Sequence, residues 1–163
     1  VTNPFDDWVA SLGRSVSTDA RALLRRVYDE HGPISPDQAR RLGHDHQLAL
    51  AREAVALLAR DVAVTTSVEP PRFEYRDDGG SVRLAFRGRY ATTPIYALSA
   101  AIIVEAANFM QVEVMEDLHG VWPSCSDHGR GLHPALSSGR AVWVCRAGGH
   151  IVSDIGRLPP NLG

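Results

Sequence analysis

Both cysteines of the 163-residue chain, and three of its seven histidines, fall between positions 125 and 150. They are ordered Cys125-x2-His128-x4-His133 and then Cys145-x4-His150. Thiolate and imidazole are the borderline-soft donors that Zn²⁺ prefers, and a structural zinc site takes four of them in a closed tetrahedron. Five are on offer. The stretch from Val142 to Val152 reads as strand, tight glycine turn and strand, which brings Cys145 near His150. Trp122-Pro123-Ser124-Cys125-Ser126-Asp127-His128-Gly129 reads as a second knuckle, with its second donor three positions after the first. Together they resemble the two halves of a small zinc-ribbon module over 121–158, with histidine in place of one or both of the second cysteines that ribbons usually carry. Two competing readings of the thiols are small buried core residues and a disulfide. Cys125, His128 and Cys145 belong to every plausible ligand set, while His133 and His150 compete for the fourth place. His133-Pro134 follows two glycines in a loop able to fold back, whereas His150 holds a defined hairpin position.

This stretch resembles a W-P-x-C-x-x-H, H-P, V-W-x-C pattern found near the C-terminus of small uncharacterised actinobacterial proteins. The resemblance spans roughly residues 95 to 158 and implies no activity. In that pattern the histidine of the H-P step recurs, so the resemblance ranks His133 ahead of His150, with Cys125, His128, His133 and Cys145 as the expected set. A catalytic metal needs an open coordination position and a nearby acid or base. Asp127, Glu116 and Asp117 are near enough in sequence to keep a zinc-dependent hydrolase as the alternative, but neither HExxH nor the zinc-deaminase signature is present.

The rest of the composition excludes more than it identifies. All seventeen basic residues are arginine, which removes lysine Schiff-base chemistry and a P-loop lysine, and no GxGxxG or GxSxG motif occurs. Seventeen cations against nineteen acids leave a formal charge of -2, so no global field draws the chain to nucleic acid or an anionic membrane. With 44% apolar and 22% charged residues the chain can bury a core. The most apolar segment, 94–118, is interrupted by acids and amides, so no membrane span is expected, and the lack of a cationic-then-apolar start points to the cytoplasm.

The elements that must carry the cluster follow from periodicity. Asn3-Pro4 opens a short amphipathic helix, and a second runs from Ser17 or Thr18 to His31. A capping box at Ser35–Gln38 opens a third that Gly43 should stop, and a fourth is expected from Asp45 to Arg60. The β-branched run 62–68 reads as a strand, followed by a hairpin whose arms, 73–76 and 81–87, flank Asp77-Asp78-Gly79-Gly80. Helices followed by a hairpin loosely resemble a winged helix-turn-helix over residues 18 to 90. Arg72, Arg76, Arg83, Arg87 and Arg89 would then line a wing suited to the phosphates of duplex DNA. A protein-interaction role for the same scaffold is the competing reading. The expected architecture is thus α+β: a helical, winged-helix-like region over 1–93, a long connecting helix over 94–120, the metal module over 121–158 and a tail over 159–163. Because the long helix is apolar on more than one face, a homodimer through residues 95–115 is a further expectation. The chain reads as a regulatory or interaction protein, not an enzyme, stabilised by a structural zinc.

Overall fold

The computed structural model describes residues 3–12, 18–70, 72–77, 82–86, 89–90 and 99–160. Their order is α1 (Pro4–Ser11), α2 (Thr18–His31), α3 (Pro36–Thr65), β1 (Glu74–Asp77), β2 (Val82–Phe86), β3 (Arg89–Tyr90), α4 (Ser99–Leu118), β4 (His133–Ser137), β5 (Arg140–Cys145) and β6 (His150–Asp154). The two sheets are antiparallel, ordered β1-β2-β3 and β4-β5-β6, and the class is α+β. No helix of the described residues is long and apolar enough to cross a membrane.

The first helix starts as its sequence dictates: Asn3 Oδ1 accepts from Phe5 N at 3.1 Å, and Pro4 occupies the first turn, where its missing N–H costs nothing. Phe5, Trp8 and Val9 are buried against Leu24, Val27, Tyr28 and Ile34, forming a cluster of their own. Trp8 Nε1 donates to the Ile34 carbonyl at 2.9 Å, and the Arg25 guanidinium lies 3.6 Å from the centre of the Phe5 ring.

Two local expectations yield to packing in α3. Its capping box forms as read, with Ser35 N donating to Gln38 Oε1 at 3.0 Å and Gln38 N to Ser35 Oγ at 3.3 Å. The helix then runs through Gly43 without a break, so the separate third and fourth helices are one helix of 30 residues. A mid-helix glycine costs only about 1 kcal/mol relative to alanine, and the buried row Ala51, Ala54, Leu58 and Val62 offsets it. The strand expected over 62–68 does not form either. Helix continues to Thr65 because Asp61, Val62 and Thr65 are buried in that conformation, which overrides the β propensity of valine and threonine. Thr66 ends it, its N and Oγ1 both donating to the Val62 carbonyl at 2.9 Å.

The predicted hairpin is present as β1 and β2, registered from Glu74↔Ala85 to Asp77↔Val82. Its turn, with Asp78-Gly79-Gly80, lies outside the described residues, as do Arg87 and the side chains of Arg76 and Arg89. Arg72 is exposed and pairs with Glu69 at 3.0 Å, whereas Arg83 is half-buried. Ala85 shares the Arg83 side of β2 by alternation, and both Ala85 and Leu84 are buried, so β2 has no fully solvated face. The guanidinium of Arg52, from the stretch expected as a fourth helix, sits 6.0 Å from the centre of the Tyr75 ring, which places that part of α3 on the sheet.

The long helix is α4, seen from Ser99; residues 94–98 lie outside the described residues. Ile102, Ala106, Ala107, Met110 and Val114 are buried within the chain, and the exposed stripe reads Glu105, Asn108, Val112 and Glu116. Most of the apolar surface assigned to a dimer interface is therefore spent on the internal core. That core is continuous from α3 through α4 to the C-terminal sheet: Leu58, Met110, Trp122, Leu132, Trp143 and Ile155 are members of one cluster.

Candidate metal centre

The C-terminal sheet is made by two tight turns. Ser138 (φ 48°) and Gly139 (φ 76°) form a two-residue connection between Ser137 and Arg140, and two positive φ angles in succession match the right-handed twist of a hairpin. This creates β4 where the two glycines before His133 suggested a loop. Proline is tolerated there because β4 is an edge strand. The second turn, 146–149, joins β5 to β6 and places Cys145 directly across from His150.

Strand parity then decides which histidine stands beside Cys145. Cross-strand partners project to the same face, so His150 stands beside Cys145. His133 pairs with Val144, one residue before Cys145, and projects to the other face. Of the expected set, Cys125, His128 and Cys145 are brought together; the fourth member of the group is His150, the alternative to His133, and His133 lies outside it. The opposing knuckle is closed by Cys125 N donating to the Arg130 carbonyl and Gly129 N to the Cys125 carbonyl, both at 2.8 Å, and by the Ser124↔Gly131 bridge. Gly129, at φ 59°, makes the reversal after His128 that returns the Arg130 carbonyl to Cys125 N.

Their donor atoms all lie within 4.8 Å of one another. Cys125 Sγ is 3.5 Å from His128 Nδ1 and 3.7 Å from His150 Nε2, and Cys145 Sγ is 3.6 Å from His128 Nδ1. Both cysteines are buried and free, so the disulfide reading is not realised, while His128 is exposed and His150 half-exposed. The group can hold a metal ion, with the cysteines buried and the imidazoles toward the surface. Gly148 leaves room for the two imidazoles, since a Cβ there would crowd His128 Cε1 and His150 Nδ1 and force them to shift. Asp127, Glu116 and Asp117, the carboxylates weighed for an enzymatic role, are exposed and outside the group.

Behind the thiols lies a layer whose polar anchors, Asp61 and Thr65, sequence reasoning missed. Trp122 and Trp143, one near each cysteine, are buried and meet edge to face with centroids 5.6 Å apart. Trp143 Nε1 donates to Asp61 Oδ2 at 2.8 Å, and Trp122 Nε1 to Thr65 Oγ1 at 2.8 Å. Asp61, fully buried, also accepts from Gly156 N at 2.7 Å and Leu158 N at 2.9 Å. Burial pushes its carboxyl above the usual carboxylate range, against the opposing pull of those three donors and of Arg60. From α4, Gln111 Nε2 donates to the Trp122 carbonyl at 2.8 Å and the Leu132 carbonyl at 2.7 Å, holding both ends of the first knuckle. An acid at Asp61 beside Leu57, Leu58 and Val62 was the available signal, because a carboxylate on an apolar helix face requires partners.

Fold and site together define an α+β chain carrying a two-knuckle Cys₂His₂ group. Comparison with protein-family models, with curated proteins and with solved structures finds no match to it.

Proposed function

We infer that Cys125, His128, Cys145 and His150 hold a structural zinc ion in a non-catalytic regulatory or interaction protein. One observation carries the reading. A tetrahedral ion with bonds of roughly 2.3 Å to sulfur and 2.0–2.1 Å to nitrogen sets sulfur and nitrogen about 3.5–3.6 Å apart. Three of the four sulfur–nitrogen separations, at 3.5, 3.6 and 3.7 Å, fit that figure, and the fourth lies within 4.8 Å. Two thiolates and two imidazoles favour Zn²⁺ over the hard cations that need oxygen ligands. Four protein donors leave no open position for water or substrate, which favours a structural ion over the hydrolase alternative.

The partner class rests on less. The arginine hairpin supplies Arg72 and Arg83 among the described side chains, one paired and one half-buried, so it gives a phosphate-binding wing little support. A protein partner is the better reading, with a winged-helix role in duplex DNA binding as the alternative. Elemental mass spectrometry of the purified protein tests the metal: about one equivalent of zinc is expected, and less than about a tenth refutes the site. Salt-dependent binding to random duplex DNA, lost in a variant with Arg83, Arg87 and Arg89 changed to Ala, would overturn the preference for a protein partner.

A further inference from the structure

The geometry points to Asp61 and Thr65, on the last turns of α3, as positioning residues of the metal site, so that metal affinity is set in part by a helix that contributes no ligand. This rests on the metal reading above. The observation is a paired connection. Each knuckle carries a tryptophan close to its cysteine, Trp122 three residues before Cys125 and Trp143 two residues before Cys145. Both indole N–H groups are buried, and each is taken by one of two residues four apart on the same helix, Thr65 and Asp61. Those two residues are themselves joined, Thr65 Oγ1 donating to the Asp61 carbonyl at 2.6 Å. A spacing of four puts both acceptors on one helix face. The turns of a single helix therefore anchor both knuckles, whose tryptophans also meet each other edge to face.

Metal sites lose affinity when the groups that orient their ligands are removed, because the ligand set must then be ordered at the moment of binding; losses of roughly 10–100-fold are usual for direct partners of a ligand. Asp61 and Thr65 act one step further out, through the tryptophans, so a loss of about tenfold or somewhat less is expected. By thermodynamic reciprocity, metal binding stabilises the contact with α3 by the same factor.

The test uses the full chain and Co²⁺, whose visible and thiolate-to-metal absorption reports the number and geometry of sulfur ligands. Thr65→Val removes the acceptor for the Trp122 indole with little change of shape, Thr65→Ser retains it, and Asp61→Asn weakens the acceptor for Trp143. Circular dichroism shows which variants remain folded. Expected are a weaker Co²⁺ dissociation constant, by about three- to tenfold, in Thr65→Val and Asp61→Asn, with affinity restored in Thr65→Ser. A purely structural role predicts lower stability but wild-type Co²⁺ affinity and spectrum in the folded variants, and that result overturns the inference while leaving the metal site intact. Should Asp61→Asn fail to fold, the Thr65 pair decides alone. Absence of Co²⁺ and Zn²⁺ binding by the wild type would remove the metal reading itself, and this inference with it.

Discussion

Replacing Asp61 by asparagine changes almost no volume and alters three hydrogen bonds at once. In the native protein Oδ2 accepts from Trp143 Nε1 and Gly156 N, and Oδ1 accepts from Leu158 N. An asparagine has one oxygen. Placed at the Oδ2 position it keeps two bonds and turns its NH₂ toward the Leu158 N–H; placed at Oδ1 it keeps one bond and opposes two donors. The better orientation still leaves a buried backbone N–H and a buried amide without acceptors, each costing about 1–3 kcal/mol. Losing a buried ionised group offsets part of that, since burial is what raises the Asp61 pKa. The net expectation is about 2–4 kcal/mol, a large fraction of the roughly 5–15 kcal/mol that stabilises an ordinary domain. Urea unfolding of metal-saturated protein, with a slope of about 1–3 kcal/mol/M, should show the midpoint lowered by about 1–2 M. Because Asp61 ties α3 to the C-terminal sheet within one core, fluorescence of the buried tryptophans and helical circular dichroism should move together. A midpoint within 0.2 M of wild type, or two separate transitions in the wild type, would refute the argument.

His150→Ala should lower zinc affinity by orders of magnitude while His133→Ala leaves it within a factor of about two, since His133 lies on the opposite face of β5; competition with a chromophoric chelator reads both, and the reverse order would return His133 to the site. Gly148→Ala should weaken metal binding at least tenfold with smaller effect on the apo protein, because its Cβ strikes both imidazoles and no other group lies as close; equal metal affinity would show that the turn shifts freely. Gly156→Ala should destabilise by at least about 2 kcal/mol, combining a strained φ of 87° with a Cβ 2.6 Å from Leu57 Cδ2, and thermal unfolding measures it. The Trp143 indole N–H resonance should titrate with Asp61 at a midpoint above the ordinary carboxylate value of 3.8. A raised folded pKa means that the native state holds its proton longer than the unfolded chain, so this group contributes stability at low pH that is lost as pH rises through the folded pKa; a midpoint at or below 3.8 reverses the sign.

Short-range chemistry was legible in the sequence because its meaning depends on neighbours a few residues away. The x2 spacing of Cys125 and His128 and the strand–glycine–strand around Cys145 marked three members of the Cys₂His₂ group, and Asn3-Pro4 and Ser35–Gln38 marked the starts of α1 and α3. The same local logic failed at His133, whose resemblance-based rank could not foresee that Ser138-Gly139 makes a hairpin and so assigns it, by strand parity, to the face away from Cys145. It failed again where burial outweighed propensity. Gly43 and the β-branched run from Val62 are weak helix positions in isolation, with a cost near 1 kcal/mol or less each, and the core that covers Leu58 and Val62 decides against it. Asp61 is the extreme instance: its partners lie 82, 95 and 97 residues away, so no window of sequence contains the reason for a buried carboxylate, and only the closed core brings Trp143, Gly156 and Leu158 to it.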